Sequence, residues 1–217
     1  MPKPAPETGD AGLLAGARKR RPLAPSFFNT PPEQVARALL GKILVRRTGG
    51  PLAGRIVETE AYLGERDPAA HAASGRTARN AVLYGPPGHA YVYSIYGLHY
   101  CFNVSCLPEG VPGCVLLRAL EPLEGAAEMR RQRGLSESAD LHRLASGPGK
   151  LCQAFGITRT TDNGINLTSV ESLLGLVEDG FLCGEIRATT RIGIRKAADL
   201  PLRFFLAGHD CVSGRRR

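Results

Sequence analysis

The segment RIVETEAYLGERDPAAH, Arg55–His71, most constrains the fold of this chain. It begins with strand-forming residues and ends in polar and Gly/Pro-bearing loop residues. Successive side chains of a strand point to opposite faces, so Glu58, Glu60 and Tyr62 share one face. A carboxylate on a face otherwise suited to packing costs free energy unless it is paired or used. Glu60 is therefore the first candidate for chemistry. A solvated strand face, or a carboxylate tied to an arginine, is the plainer alternative.

The rest of the chain bounds what such a strand can belong to. A length of 217 residues with 43% hydrophobic content suits one domain with a proper core. No apolar run approaches the length of a bilayer span, and the N-terminal LLAGA is too short for a secretory leader. The expectation is a soluble, cytoplasmic protein. The net charge is +8, and most of it sits at the ends. Residues 1–22 carry five basic against two acidic side chains, and Arg215, Arg216 and Arg217 close the chain. Basic tails strengthen nonspecific phosphate contact without conferring specificity. The six cysteines have neither C-x-x-C nor zinc-finger spacing, which predicts free thiols and no metal.

Local signals predict one α+β domain over residues 23–210, between a disordered basic arm (1–22) and a basic tail (211–217). The sheet is expected to be curved and mainly antiparallel, with surrounding helices. Thr30-Pro31-Pro32-Glu33 reads as a helix start with Thr30 as N-cap, and Gly41 as the stop. Strands are expected over 42–47, 55–62, 91–96, 99–105 and 114–120. Residues 64–90 read as a long loop, a length that within a compact domain is usually functional or disordered. A surface helix is expected over 124–133. A second helix runs to Phe155 behind Ser146-Gly147-Pro148-Gly149-Lys150, with Ser146 as N-cap and Lys150 placed to touch phosphate.

Two further features carry chemistry. The strand Tyr91–Tyr96 holds three of the six tyrosines and leads into a turn at Gly97-Leu98. An aromatic or apolar hairpin tip can unstack a base step in a minor groove, although tyrosines also pack across ordinary strand pairs. Arg118 lies within Val115–Leu120, where a guanidinium needs a carboxylate partner. Glu58 and Glu60 are the available ones. His71 is either a surface residue or a stacking wall. There is no Walker-type loop and no dinucleotide fingerprint.

The stretches RIVETEAYLG, AAH, YVYSIYG, VLLRALEPLEG, SGPGKLCQA and PLRFF, in order from about Phe27 to Leu206, resemble the alkyladenine (3-methyladenine, methylpurine) DNA glycosylase family. The resemblance implies a monomeric single mixed domain with a protruding, DNA-inserting β-hairpin. It implies no cofactor or metal and no lyase activity. The implied activity is excision of alkylated and deaminated purines from double-stranded DNA. By motif, Glu60 matches the base that activates water, and Arg118 the arginine that helps hold that water. The backbone carbonyl of Ile192 matches a third water ligand. Tyr62, His71 and Tyr93 match the aromatic walls around a flipped base, and Asn103 the residue that rejects guanine. Tyr96 matches the wedge that fills the vacated space. The hairpin tip departs from the family pattern, carrying Leu98-His99 where animal members have a larger Met-Tyr pair. Two other classes remain: a non-catalytic binder of damaged DNA, which would not need the Glu60–Arg118 pair, and a nucleoside hydrolase, which would not need the hairpin.

Overall fold

A computed structural model of the chain describes residues 20–95, 97 and 99–214. Its elements follow in chain order. β1 (Arg21–Pro22), α1 (Pro25–Phe28) and α2 (Pro32–Leu39) precede β2 (Ile43–Arg46) and the long β3 (Leu52–Tyr62). A segment with two 3-10 turns leads to β4 (Ala90–Ile95), β5 (His99–Ser105) and β6 (Cys114–Glu124). Then come α3 (Ala126–Gln132), α4 (Pro148–Ala154) and α5 (Arg159–Asp162), followed by β7 (Leu174–Glu178), β8 (Ile186–Thr189) and β9 (Arg203–Leu206). Among the described residues the strands form one curled antiparallel sheet in the order β1-β7-β2-β3-β6-β5-β4, with β9 joining β3 and β8 joining β9.

β3 organises the sheet. It pairs with β6 along most of its length. On its other edge β2 pairs with Arg55 and the residues before it, and β9 pairs with Glu58–Glu60. The β3–β6 ladder is irregular in the middle. Ile56 faces Leu120, Glu58 faces Ala119 and Thr59 faces Leu117, so Val57 and Arg118 are passed over. There β6 turns its hydrogen bonds outward: the Gly147 N–H donates to Arg118 O, and Leu120 N–H to Ala145 O.

The pleat sorts the two faces of the sheet. Val57, Ala61, Val115, Leu117, Phe102, Val104, Ala90 and Val92 join the main core, where α2 packs on β3 and α4 on β5. Burying such a face is the chief stabilising contribution, about 25 cal/mol per Å² of apolar area. The opposite face carries Glu58, Glu60 and Tyr62.

Several local expectations change in the structure. Pro31, not Thr30, occupies the N-cap of α2, and the Thr30 hydroxyl turns back to Phe27 O at 3.4 Å. Gly147, not Ser146, is the N-cap of α4, with φ 131°, while the Ser146 hydroxyl donates back to His142 O. That backbone angle is open to glycine, and Gly147 is already engaged with Arg118 O. The expected arm and tail also give way at their inner ends. Arg21–Pro22 pairs with β7, and Cys211 and Ser213 are buried. Among the described residues, no helix is long and apolar enough to cross a membrane.

Candidate active site on the polar face of the sheet

Antiparallel pairing places partners on the same face, so register assembles the site. Glu60 faces Leu116 on β6, Leu116 faces Asn103 on β5, and Asn103 faces Tyr91 on β4. Two residues along, Tyr62 faces Cys114 and Tyr93 faces Cys101. Residues 60, 62, 91, 93 and 103 therefore meet on one surface although they come from three strands.

Both carboxylates of β3 are fully buried, at 0% exposure, and both are satisfied. Glu60 Oε1 accepts from the Ile192 N–H at 2.8 Å and lies 3.2 Å from Arg118 Nη1. Its Oε2 accepts from the Tyr62 hydroxyl at 2.9 Å. Glu58 Oε1 accepts from Arg118 Nε at 2.9 Å and from Arg203 Nε at 2.6 Å, and its Oε2 from the Ser213 N–H at 2.6 Å. Arg118 thus spans the two carboxylates. Burial pushes its guanidinium pKa down, but Glu60 and Glu58 outweigh burial and leave it raised. Two carboxylates and two guanidiniums, Arg118 and Arg203, share this interior, which meets the condition for burying charge at all.

The Ile192 backbone meets Glu60 through its N–H, and the Ile192 side chain is exposed. The residue before it explains the placement. Arg191 is buried, with Nη2 2.9 Å from Asp67 Oδ1, a second bond from Nη1 to Asp67 Oδ2, and a third from Nη1 to Ala61 O at 3.0 Å. Asp67 in turn accepts from the Leu63 N–H at 3.2 Å and the Ala69 N–H at 3.0 Å. Burial works to raise the Asp67 carboxyl, but Arg191 and these N–H groups hold it below its ordinary range. One ion pair therefore pins the segment after β3 to the loop that carries Ile192.

Beside Glu60 lies a cavity of about 200 Å³ lined by Tyr62, His71, Tyr91, Tyr93, Asn103 and Cys114, among others. His71 reaches it from the loop after β3. Its ring lies 4.4 Å from that of Tyr93 at 69°, and its Nδ1 is 2.8 Å from the Tyr91 hydroxyl. Burial, then the Arg79 charge, pushes the His71 pKa down, so the ring is neutral near pH 7. Burial raises the phenols of Tyr62 and Tyr93, and pushes Tyr91 up to about 12. All three stay protonated. The Arg191 guanidinium lies 4.7 Å from the Tyr62 ring centroid, and Arg79 lies 5.6 Å from that of Tyr93. Asn103 donates from Nδ2 to Tyr91 O at 3.0 Å, which fixes its amide against the cavity wall.

The structure thus brings together Glu60, Arg118, Tyr62, His71, Tyr93, Asn103 and the Ile192 backbone. Tyr96 and Leu98 lie outside the described residues. His99 is exposed at the start of β5, and a methyl group at Gly149 would lie 3.4 Å from its Cβ, so the turn end of the β4–β5 hairpin abuts α4. Lys150 is exposed on the first turn of α4, away from the cavity lining. Among the described residues no three of His, Cys, Asp and Glu converge as a metal-binding group. Cys101, Cys106, Cys114, Cys152 and Cys183 are free thiols.

Sequence reading missed Asp67, Arg191, Arg203 and Ser213. Arg203, flanked by Leu202, Phe204 and Phe205, carries the same signal as Arg118, a guanidinium in an apolar strand. Asp67, Arg191 and Ser213 sit in loops and carry none.

The chain is matched by known proteins over nearly its whole length. The family model described as Methylpurine-DNA glycosylase (MPG) matches residues 26–210. A relative from Koribacter versatilis is 58% identical over 196 residues, covering 90% of this chain and 94% of the relative. One from Methanocella arvoryzae is 48% identical, covering 87% and 94%, and one from Chlorobaculum parvum is 47% identical, covering 89% and 91%. All three bear the name "Putative 3-methyladenine DNA glycosylase". Matches of this extent, over a chain whose polar sheet face holds the motifs that suggested the family, establish its membership: the chain belongs to the methylpurine-DNA glycosylase family.

Proposed function

We propose that this DNA glycosylase acts as a monomer on double-stranded DNA, flipping an alkylated or deaminated purine into the cavity and hydrolysing its N-glycosidic bond with water activated by Glu60. The candidate substrates are 3-methyladenine, 7-methylguanine, hypoxanthine and ethenoadenine. One observation carries the reading. A fully buried carboxylate, oriented by Arg118, the Ile192 N–H and the Tyr62 hydroxyl, stands beside a cavity walled by tyrosines and a neutral histidine.

Flipping costs a few kcal/mol and is easiest for a damaged or mispaired base. Tyr96, with Leu98 and His99 at the hairpin tip, would fill the gap left in the stack. Lys150 would contact phosphate. Alkylation at N3 or N7 makes the purine cationic, and the faces of Tyr62, His71 and Tyr93 favour such a ring over a neutral one. The Asn103 amide would be set against the amino group of guanine.

The C1′–N9 bond breaks with oxocarbenium character. Water attacks C1′ and gives its proton to Glu60, while the bonding pair leaves with the purine. A cationic lesion departs as a neutral base, whereas hypoxanthine must also gain a proton. Arg118 keeps the Glu60 carboxylate aimed, and Glu60 stabilises the developing positive sugar. No lysine enters the scheme, so the enzyme is monofunctional and leaves an abasic site. The same reading places the protein in the cytoplasm, associated with the nucleoid through DNA.

Glu60→Gln tests this directly. Excision from a single-lesion duplex is expected to fall below detection, while binding to that duplex persists. Wild-type excision by the variant would remove Glu60 from its role. Methylated nucleosides assayed beside the duplex separate this activity from nucleoside hydrolysis.

A further inference from the structure

Glu58, the other buried carboxylate of β3, directs its hydrogen bonds to Arg118, Arg203 and Ser213, none of which lines the cavity beside Glu60, and it is as fully buried as Glu60. Its partners converge on one residue near the end of the chain. All three polar groups of Ser213 are engaged. Its N–H donates to Glu58 Oε2 at 2.6 Å, its hydroxyl accepts from Arg118 Nη2 at 3.3 Å, and its carbonyl accepts from Arg203 Nη2 at 3.1 Å. Each bond goes to a different member of the buried charge cluster. Ser213 also lies outside residues 26–210, the part of the chain matched by the family model.

Arg118 has three jobs to divide. Nη1 faces Glu60, Nε faces Glu58 and Nη2 faces Ser213. A long guanidinium side chain has many rotamers, and freezing them is a real entropic cost. Two anchors outside the cavity define the plane of the fork, and the remaining corner then points at Glu60. We infer that Ser213 is a positioning residue for the reaction, locking the Glu58–Arg118–Arg203 cluster so that Arg118 presents Nη1 to Glu60; the inference rests on Glu60 being the base.

The segment bearing Ser213 is built to hold this position. Its backbone closes through bonds from the Ala207 N–H to Glu185 O and from the Val212 N–H to His209 O. His209 Nε2 lies 3.6 Å from Glu121 on β6. Ser213 also borders a second cavity, of about 420 Å³, which leaves room for one extra methyl group.

The test uses the full chain in single-turnover excision with enzyme in excess over a lesion duplex, and binding affinity is measured in the Glu60→Gln background. Ser213→Ala removes the hydroxyl, and the rate is expected to fall about three- to tenfold. Ser213→Pro also removes the N–H donor to Glu58, for a fall of at least about tenfold. Affinity should change less than twofold in both, and Ser213→Thr should restore the rate. In an Arg118→Lys background, which lacks the fork, Ser213→Ala should cost nothing further, because the two substitutions act through one contact. Wild-type rates in Ser213→Ala and Ser213→Pro would overturn the inference, as would an undiminished Ser213→Ala effect in the Arg118→Lys background. If Ser213→Pro does not fold, the alanine, threonine and double-variant rates decide alone. Failure of the base assignment looks different: Glu60→Gln would then excise, whatever Ser213 does.

Discussion

Removing one partner of the Asp67–Arg191 pair should damage the protein more than any single contact at its surface. Both side chains are 0% exposed. Asp67→Asn keeps the shape but turns one acceptor oxygen into a donor facing a guanidinium. It also leaves Arg191 as an uncompensated buried charge, whose Nε already has no hydrogen-bond partner. Breaking a buried pair in this way costs about 3–5 kcal/mol. For a chain of this size, at about 2–4 °C per kcal/mol, the melting temperature should drop by about 6–20 °C. Chemical denaturation with linear extrapolation measures the loss. Replacing both partners, Asp67→Leu with Arg191→Met, should recover only part of it: an apolar pair leaves no orphaned charge, but the Leu63 and Ala69 N–H groups lose their acceptor. The linkage has a definite sign. The folded state holds the Asp67 carboxyl below its ordinary value of 3.8, so its contribution is complete above that pH and is lost as pH falls through the lower folded value. Wild type should therefore lose stability more steeply below pH 4 than Asp67→Asn does. Excision should fall as well, since Arg191 places the Ile192 N–H on Glu60. A variant within about 1 kcal/mol of wild type, with the same acid profile, would refute the reasoning.

Gly64→Ala should cost about 2–4 kcal/mol in a denaturant titration, because φ is +74° and the new Cβ would meet Pro112 O at 2.0 Å. A wild-type midpoint would show that the segment after β3 yields more readily than its backbone contacts imply. Tyr91→Phe should cost about 1–3 kcal/mol, since it leaves His71 Nδ1 without its partner at 2.8 Å; an unchanged unfolding curve would show that the ring is held by stacking alone. His71 itself should titrate below its ordinary value of 6.5 in an NMR pH series, and a midpoint at or above that value would mean that burial and Arg79 do not control it.

Much of this fold is legible because its strands follow binary rules. The alternation in Arg55–Tyr62 shows which residues share a face, and the isolated guanidinium of Arg118 announces a buried partner. Both signals act over a few residues, and both appear in the structure. Strand lengths read less well: β6 runs on to Glu124 and β3 begins at Leu52, since polar ends remain paired when a long neighbour supplies the ladder. The cap errors at Thr30 and Ser146 have one origin. Each hydroxyl found a nearer carbonyl, and proline or glycine took the cap. Asp67, Arg191 and Ser213 were invisible for a different reason. Their meaning lies in contacts spanning more than a hundred residues, and no local pattern encodes those.

The two-faced β3–β6–β5–β4 array also restricts how this chain can change length. A one-residue insertion or deletion within β3 or β6 would exchange the faces. Thr59 would enter the position of Glu60, and both buried carboxylates would turn into the core beside Leu117 and Val57. Such a change would remove the chemistry and the packing together, so it cannot be tolerated as a partial defect. Length variation is open only where no face is at stake, as at Gly49-Gly50, where added side chains would meet nothing within 4 Å. Loss of function and loss of fold are thus a single event for indels in these strands, whereas point substitutions on the polar face can separate the two.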